Sequence, residues 1–176
     1  MAKWRKHPLP LDYPRHPERR TALVLGASSG IGRATAVALA EAGHPVAVGA
    51  RRVDRLDEVV AHIREAGGEA EAFAVDVTDE KSIASAVTDV EAALGEVEVV
   101  VNSAGSLRMG RIWEMTPENF SAQVDVHLLA GHRVVAAVVP GMVARGRGDV
   151  VLIGSDTSRT GSRTSSPAAS SSAWPS

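Results

Sequence analysis

The chain of 176 residues contains no cysteine and only 3% aromatic residues. The absence of cysteine excludes disulfide bonds, a thiol nucleophile and a cysteine-based zinc site, and no other metal site is indicated. With so few aromatic side chains, the core must consist of Ala, Val, Leu and Ile, which is typical of buried parallel strands covered by helices. A formal charge of −2 gives no reason to expect nucleic acid or an acidic membrane as partner.

Long apolar runs are also missing. No apolar run approaches the roughly 20 residues that cross a membrane, so we expect no membrane-spanning helix. The first twenty residues are basic but lack the apolar stretch of a secretory signal, which favours a cytoplasmic protein. The basic residues of this segment are Lys3, Arg5, Lys6, Arg15, Arg19 and Arg20.

Composition divides the chain into three parts. Residues 1–20 are polar and rich in proline, which predicts a mobile basic leader. Residues 21–156 show regular hydrophobic patterning and form the predicted domain. Residues 157–176 are dominated by Ser, Ala, Thr, Arg and Pro, which predicts a disordered tail.

From Thr21 onward, predicted strands and helices alternate. This repetition predicts an α/β fold in which a doubly wound parallel sheet has helices on both faces. We expect its five strands in the order 3-2-1-4-5, the order of dinucleotide-binding sheets. The predicted strands are Thr21–Leu25, Val46–Val48, Ala72–Val75, Val97–Val101 and Asp149–Ile153. The predicted helices are Arg33–Ala42, Asp54–Ala66, Glu80–Leu94 and one from about Thr116 to Ala144.

A glycine-rich turn, Gly26-Ala27-Ser28-Ser29-Gly30-Ile31-Gly32, lies between the first strand and the first helix. Glycines allow a tight turn and close approach to a pyrophosphate, and the helix N-terminus attracts its charge. Arg33, Ala34 and Thr35 follow Gly32 where an NTPase P-loop would carry its lysine, so a dinucleotide is favoured over a nucleoside triphosphate. The alternative is a purely structural turn.

Arg51 and Arg52 follow the second strand, where a dinucleotide fold meets the adenosine ribose. A carboxylate there would bind the 2′-hydroxyl of NAD, whereas arginine pairs with a 2′-phosphate. No acid occupies Gly49 or Ala50, so the sequence predicts NADP(H) as cofactor. The alternative is a solvated arginine pair at the start of a helix.

Polar and small residues follow the third and fourth strands. Asp76-Val77 comes after the third strand, and Asn102-Ser103-Ala104-Gly105 after the fourth. Ligands of open α/β sheets bind at these carboxyl ends, although each segment could also serve only as a turn or helix cap.

Taken in order, these motifs and the segment Ile153-Gly154-Ser155 resemble the short-chain dehydrogenase/reductase family over about Thr21 to Asp156. The resemblance implies a Rossmann-like fold and hydride transfer between a nicotinamide cofactor and a small carbonyl or alcohol substrate. It implies that Ser155 is catalytic and hydrogen-bonds the substrate oxygen. The implied cofactor-binding residues are Gly26, Ser28, Ser29, Gly30 and Ile31 at the pyrophosphate and the nearby ribose, Asp76 and Val77 at the adenine, and Asn102, Ala104 and Gly105 at the nicotinamide.

Two positions depart from the family pattern. The family usually has Asn in a Val-Asn-Leu context of the long helix, where this chain has Val126-His127-Leu128. His127 could shuttle a proton in its place or be a passive helix residue. The family's Tyr-x3-Lys pair falls on Ala168 and Ser172, which implies a form truncated before that motif, without its later strands and its general acid.

The leading interpretation is therefore a truncated and impaired NADP(H)-dependent short-chain oxidoreductase of unknown substrate. The alternative is a non-catalytic NADP(H)-binding module. A serine hydrolase using Ser155, His127 and Asp125 or Asp156 is disfavoured, because the Gly-x-Ser-x-Gly turn is missing. The sequence leaves the oligomeric state open, with a homo-oligomer among the possibilities.

Overall fold

The computed structural model describes residues 18–108 and 110–155. Strands alternate with helices through this part of the chain. The strands are β1 (Thr21–Leu25), β2 (Val46–Ala50), β3 (Ala70–Ala74), β4 (Val97–Asn102) and β5 (Asp149–Leu152). The helices are α1 (Gly30–Glu41), α2 (Val53–Glu65), α3 (Glu80–Leu94), α4 (Pro117–Val124) and α5 (Ala130–Arg145), with a 3-10 turn at Ile112–Glu114.

All five strands are parallel and lie in the order β3-β2-β1-β4-β5, which confirms the predicted sheet. Leu25 at the end of β1 is in register with Gly49 of β2 and Asn102 of β4. The carboxyl ends of these three strands therefore meet at one edge of the sheet, where the motifs from the sequence lie.

Two apolar clusters cover the two faces of the sheet. One combines β-strand side chains with α3 and α5, and the other combines them with α1 and α2. Every residue of β1 is buried, as expected for the central strand of a sheet covered on both faces. The core contains aliphatic residues almost throughout, as the composition predicts.

The long predicted helix is interrupted by one wider turn. A π-helical turn, Asp125–Leu129, joins α4 to α5. Its hydrophobic pattern differs too little from that of an α-helix for periodicity to detect it. The first helix begins at Gly30, whereas the sequence predicted a start at Arg33. The prediction missed the first turn because two of its residues are glycines, which carry no helical pattern.

The helix of 29 residues from Pro117 to Arg145 corrects the expectation that no segment reaches membrane-spanning length. By length and composition it could cross a membrane. However, it packs against α3 and β4, and it buries Ala130, Val134, Val138 and Met142 in the core. Only 28% of its most apolar stretch is buried in the described fold, so these contacts account for part of its apolar character.

An ion-pair network closes the opposite, amino-terminal edge of the sheet. Arg147 donates to both carboxylate oxygens of Glu98, at 2.6 and 2.7 Å. Arg20 donates to Glu98 at 3.0 Å and to Asp149 at 2.6 Å. Arg147, and more weakly Arg20, hold the pKa of Glu98 below its usual range. The network therefore ties β5 to the chain just before β1.

The predicted leader and tail fall mostly outside the described residues. Of the leader, only residues 18–20 are described, and all three make ion pairs, with Arg147, Glu69 and Glu98 respectively. Residues 157–176 lie wholly outside the described part.

Strand β5 differs from the central strands in its exposure. Val151 is 45% and Leu152 52% exposed, whereas all of β1 is buried. Among the described strands, β5 pairs only with β4. We expect hydrogen exchange to show strong protection of β1 and β4 amides and weak protection of β5, because an edge strand opens locally at low cost. Protection of β5 equal to β1 in a monomer would contradict this assignment.

Candidate functional site

A cleft of about 870 Å³ lies at the carboxyl ends of the strands. This size falls in the range of small-molecule and cofactor sites. Five segments from different parts of the chain, together with Ser155, line it. The lining residues are Gly26, Ser28–Ile31, Ala50–Arg52, Val75–Thr78, Ser103–Leu107, Val126, His127 and Ser155.

Every predicted site residue except Asn102 lies on this cleft. Asn102 is only 7% exposed, and its Oδ1 accepts a hydrogen bond of 3.1 Å from the N–H of Ala104. Asn102 therefore stabilises the turn after β4 without lining the cleft itself. The structure places the predicted residues together, while their individual roles stay predictions.

The glycine-rich turn depends on two close backbone approaches. A Cβ at Gly26 would lie 2.6 Å from the Ala104 nitrogen, and a Cβ at Gly32 would lie 2.5 Å from the Gly26 oxygen. The turns after β1 and β4 and the start of α1 therefore touch through backbone atoms alone. By contrast, a Cβ at Gly30 would meet nothing within 4 Å.

The start of α1 offers a favourable environment for an anion. The Ser29 side chain makes no capping hydrogen bond, and no acidic residue lies in the first turn. The positive end of the helix dipole thus keeps its attraction for a phosphate group.

Arg52 connects the end of β2 to this turn. Its Nη2 donates to Ser28 Oγ at 2.9 Å and to Ser29 Oγ at 3.4 Å. A guanidinium and two hydroxyls are thereby brought together at the same part of the cleft. This set of donors suits a phosphate monoester.

Asp76 supplies the negative charge of the cleft. Its Oδ1 accepts from the Thr78 N–H at 3.0 Å and from the Thr78 hydroxyl at 2.7 Å. These two bonds, with a smaller contribution from the charge of Arg51, hold the pKa of the Asp76 carboxyl below its usual range. Asp76 therefore stays ionised, with one oxygen already engaged by the protein.

At the other end of the cleft, His127 contacts the segment after β4. Its Nε2 lies 2.6 Å from the Ser106 carbonyl oxygen. Asp125, one of the two carboxylates that the hydrolase interpretation could use, is instead paired with Arg133 at 2.7 Å, and the other, Asp156, lies outside the described residues. The described geometry thus gives no orienting carboxylate to His127 from Asp125.

Sequence reasoning did not identify Thr78, Ser106 or Gln123. Thr78 could have been found, because a threonine two residues after an aspartate often closes a local hydrogen-bonded turn. Gln123 carried no signal, since a lone glutamine in a helix is ordinarily solvated, yet here it is only 1% exposed. Its Nε2 donates to Ser106 Oγ at 2.8 Å.

The comparisons with known proteins identify the family. The model of the family described as short chain dehydrogenase matches residues 20–173, a match that extends beyond Asp156. The chain therefore belongs to the short-chain dehydrogenase family, whose members are oxidoreductases that bind a nicotinamide cofactor.

Individual relatives agree with this assignment. Over 140 residues, the chain is 39% identical to the glycine betaine reductase ATRR of Emericella nidulans, covering 80% of this chain and 11% of that protein. A solved actinorhodin polyketide ketoreductase variant with NADPH superposes with a TM-score of 0.83 at 35% identity, covering 88% of this chain and 60% of the other.

A second solved structure is the alcohol dehydrogenase of Thermococcus sibiricus complexed with 5-hydroxy-NADP. It superposes with a TM-score of 0.82 at 33% identity, covering 88% of this chain and 66% of the other. The chain thus spans only part of the length of the relatives it matches.

Two of the three glycines of the turn, Gly26 and Gly30, allow a matched test of the close backbone approach. Gly26 and Gly30 both have positive φ, +78° and +57°. Gly30→Ala should cost about 1–2 kcal/mol of unfolding free energy, because its only penalty is that alanine must adopt the left-handed backbone conformation. Gly26→Ala should cost a further 1–3 kcal/mol, roughly, because its Cβ collides with Ala104. Denaturant unfolding measures both, and equal losses would contradict the argument.

Proposed function

We propose that this chain binds NADP(H), in preference to NAD(H), in the cleft at the carboxyl ends of the strands. The observation that carries the proposal is the Arg52 guanidinium at the Ser28 and Ser29 hydroxyls. A 2′-phosphate placed there would accept charge-assisted hydrogen bonds, which are roughly twice as strong as neutral ones. The ligands of the two solved relatives, NADPH and 5-hydroxy-NADP, support the same choice.

The end of β2 supports this preference. Gly49 and Ala50 supply no carboxylate for the 2′-hydroxyl of NAD, and Arg51 follows directly. Asp76 lies near Arg51, but two hydrogen bonds from Thr78 already engage one of its oxygens. The two arginines are thus the groups of the cleft best suited to a 2′-phosphate.

The type of reaction we propose for this site is the interconversion of a carbonyl and an alcohol. A nicotinamide cofactor held in the cleft would supply or accept the hydride. Ser155, on the cleft wall, would donate a hydrogen bond to the substrate oxygen and so orient it. We further propose that this chain is impaired, because Ala168 and Ser172 occupy the positions of the family's tyrosine and lysine.

The cofactor preference can be tested with paired variants. We expect the unmodified chain to bind NADPH about tenfold to a hundredfold more tightly than NADH, by fluorescence or calorimetric titration. Arg52→Ala should remove most of this difference. Arg51→Asp should reverse it, since a carboxylate can bind the 2′-hydroxyl.

Arg55→Ala is the matched control, because Arg55 lies exposed on α2 and does not line the cleft. It should leave both affinities unchanged. Equal affinity of the unmodified chain for NADPH and NADH would refute the preference.

The impaired activity can be tested separately. We expect the purified chain to bind NADPH but to reduce aldehydes and ketones at least 10²–10⁴-fold more slowly than a complete family member, roughly the contribution of a general acid. NADPH oxidation at 340 nm, about the absorbance maximum of the reduced nicotinamide, follows turnover. Rapid NADPH-dependent turnover that Ser155→Ala abolishes would show that the chain is a competent enzyme.

A further inference from the structure

One residue that lines the cleft, Ser106, is held at two of its atoms by the same helical segment. Gln123 of α4 donates from Nε2 to the Ser106 hydroxyl at 2.8 Å. His127 of the π-helical turn lies with Nε2 2.6 Å from the Ser106 carbonyl oxygen. Because a carbonyl only accepts, the His127 Nε2 must carry the proton and donate it.

Gln123 is poorly explained as a core residue. It is 1% exposed, and its Oε1 has no hydrogen-bond partner among the described residues. Burying an amide with an unpaired oxygen costs free energy, so an apolar side chain of similar shape would pack at least as well. The bond to Ser106 is therefore the contribution that distinguishes Gln123 from a leucine.

His127 adds a steric contact to its hydrogen bond. A Cβ at Gly105 would lie 2.8 Å from His127 Cε1, so the imidazole ring packs directly on the Gly105 backbone. His127 lies in the wider π-helical turn, and such turns are frequent at functional sites. Ring and hydrogen bond together fix the backbone of Gly105 and Ser106.

We propose that Gln123 and His127 are positioning residues that hold the Ser103–Leu107 backbone for the nicotinamide half of the cofactor. This inference rests on the proposed function, because it assigns that end of the cleft to the nicotinamide. It gives His127 a different role from proton transfer, since its Nε2 proton is already donated to Ser106. The 2′-phosphate contacts that we propose for Arg51 and Arg52, at the end of β2, do not involve Gln123, His127 or Ser106.

Two ligands separate the halves of the cleft. NADPH spans both, whereas adenosine 2′,5′-bisphosphate carries only the adenine, its ribose and two phosphates. We expect Gln123→Leu and His127→Phe each to weaken NADPH binding by about threefold to tenfold, the effect of one hydrogen bond. Both variants should bind the bisphosphate as tightly as the unmodified chain. His132→Phe, at an exposed position of α5 outside the cleft lining, should change neither affinity.

Variants at Ser106 test the contact itself. Ser106→Ala should weaken NADPH binding as much as Gln123→Leu, and combining the two should cost little more than either alone. Ser106→Thr keeps the hydroxyl and should retain the affinity of the unmodified chain. Unchanged NADPH affinity in Gln123→Leu and His127→Phe, or equal losses for both ligands, would overturn the proposal.

Hydrogen exchange gives a readout that needs no cofactor. In the free protein, Gln123→Leu should speed exchange of the Ser103–Leu107 amides and leave β1 unchanged. If the unmodified chain binds neither ligand, the proposed function fails, and the exchange measurement still decides whether Gln123 holds this segment. Unchanged exchange there would refute the positioning role.

Discussion

The backbone contact between Gly26 and the Ser103–Ala104 segment is the constraint on which the cleft depends. It brings the turn after β1 against the turn after β4, with no side chain between them. The similar approach of Gly32 to the Gly26 oxygen sets the start of α1 against the same turn. A single methyl group at Gly26 would separate the two turns, because backbone atoms on the neighbouring strand cannot move aside as a flexible side chain can.

The near-neutral charge of the chain conceals two different uses of arginine. At the amino end of the sheet, Arg20 and Arg147 both pair with Glu98, and hydrogen bonds from both lower the pKa of that carboxyl. At the carboxyl end, Arg52 meets the hydroxyls of Ser28 and Ser29. Since hydroxyls leave the guanidinium charge uncompensated, this end keeps an attraction for anions that the other end has lost.

Sequence reasoning was most accurate where one strong local pattern acted alone. The bounds of β1 and α3 were predicted to the residue, because an uninterrupted aliphatic run and a helix between Asp79 and Gly95 each carry clear signals. It was less accurate where patterns overlap. The glycines that open α1 concealed its first turn, and the π-helical turn Asp125–Leu129 lies inside one continuous helical run from Pro117 to Arg145.

The sequence by itself determined the parallel sheet, its strand order and which turns would carry the ligand-binding residues. The parallel sheet follows from hydrophobic periodicity and from the handedness of β-α-β connections, which act locally along the chain. The strand order is that of a dinucleotide-binding sheet, which the glycine-rich turn indicates. Only the tertiary structure decided which distant side chains meet. The contact of Arg52 with Ser28 joins residues 24 positions apart, and Gln123 and His127 reach Ser106 from 17 and 21 positions away. Such pairings depend on how the helices and turns pack against the sheet, and the spacing of residues along the chain does not specify that packing.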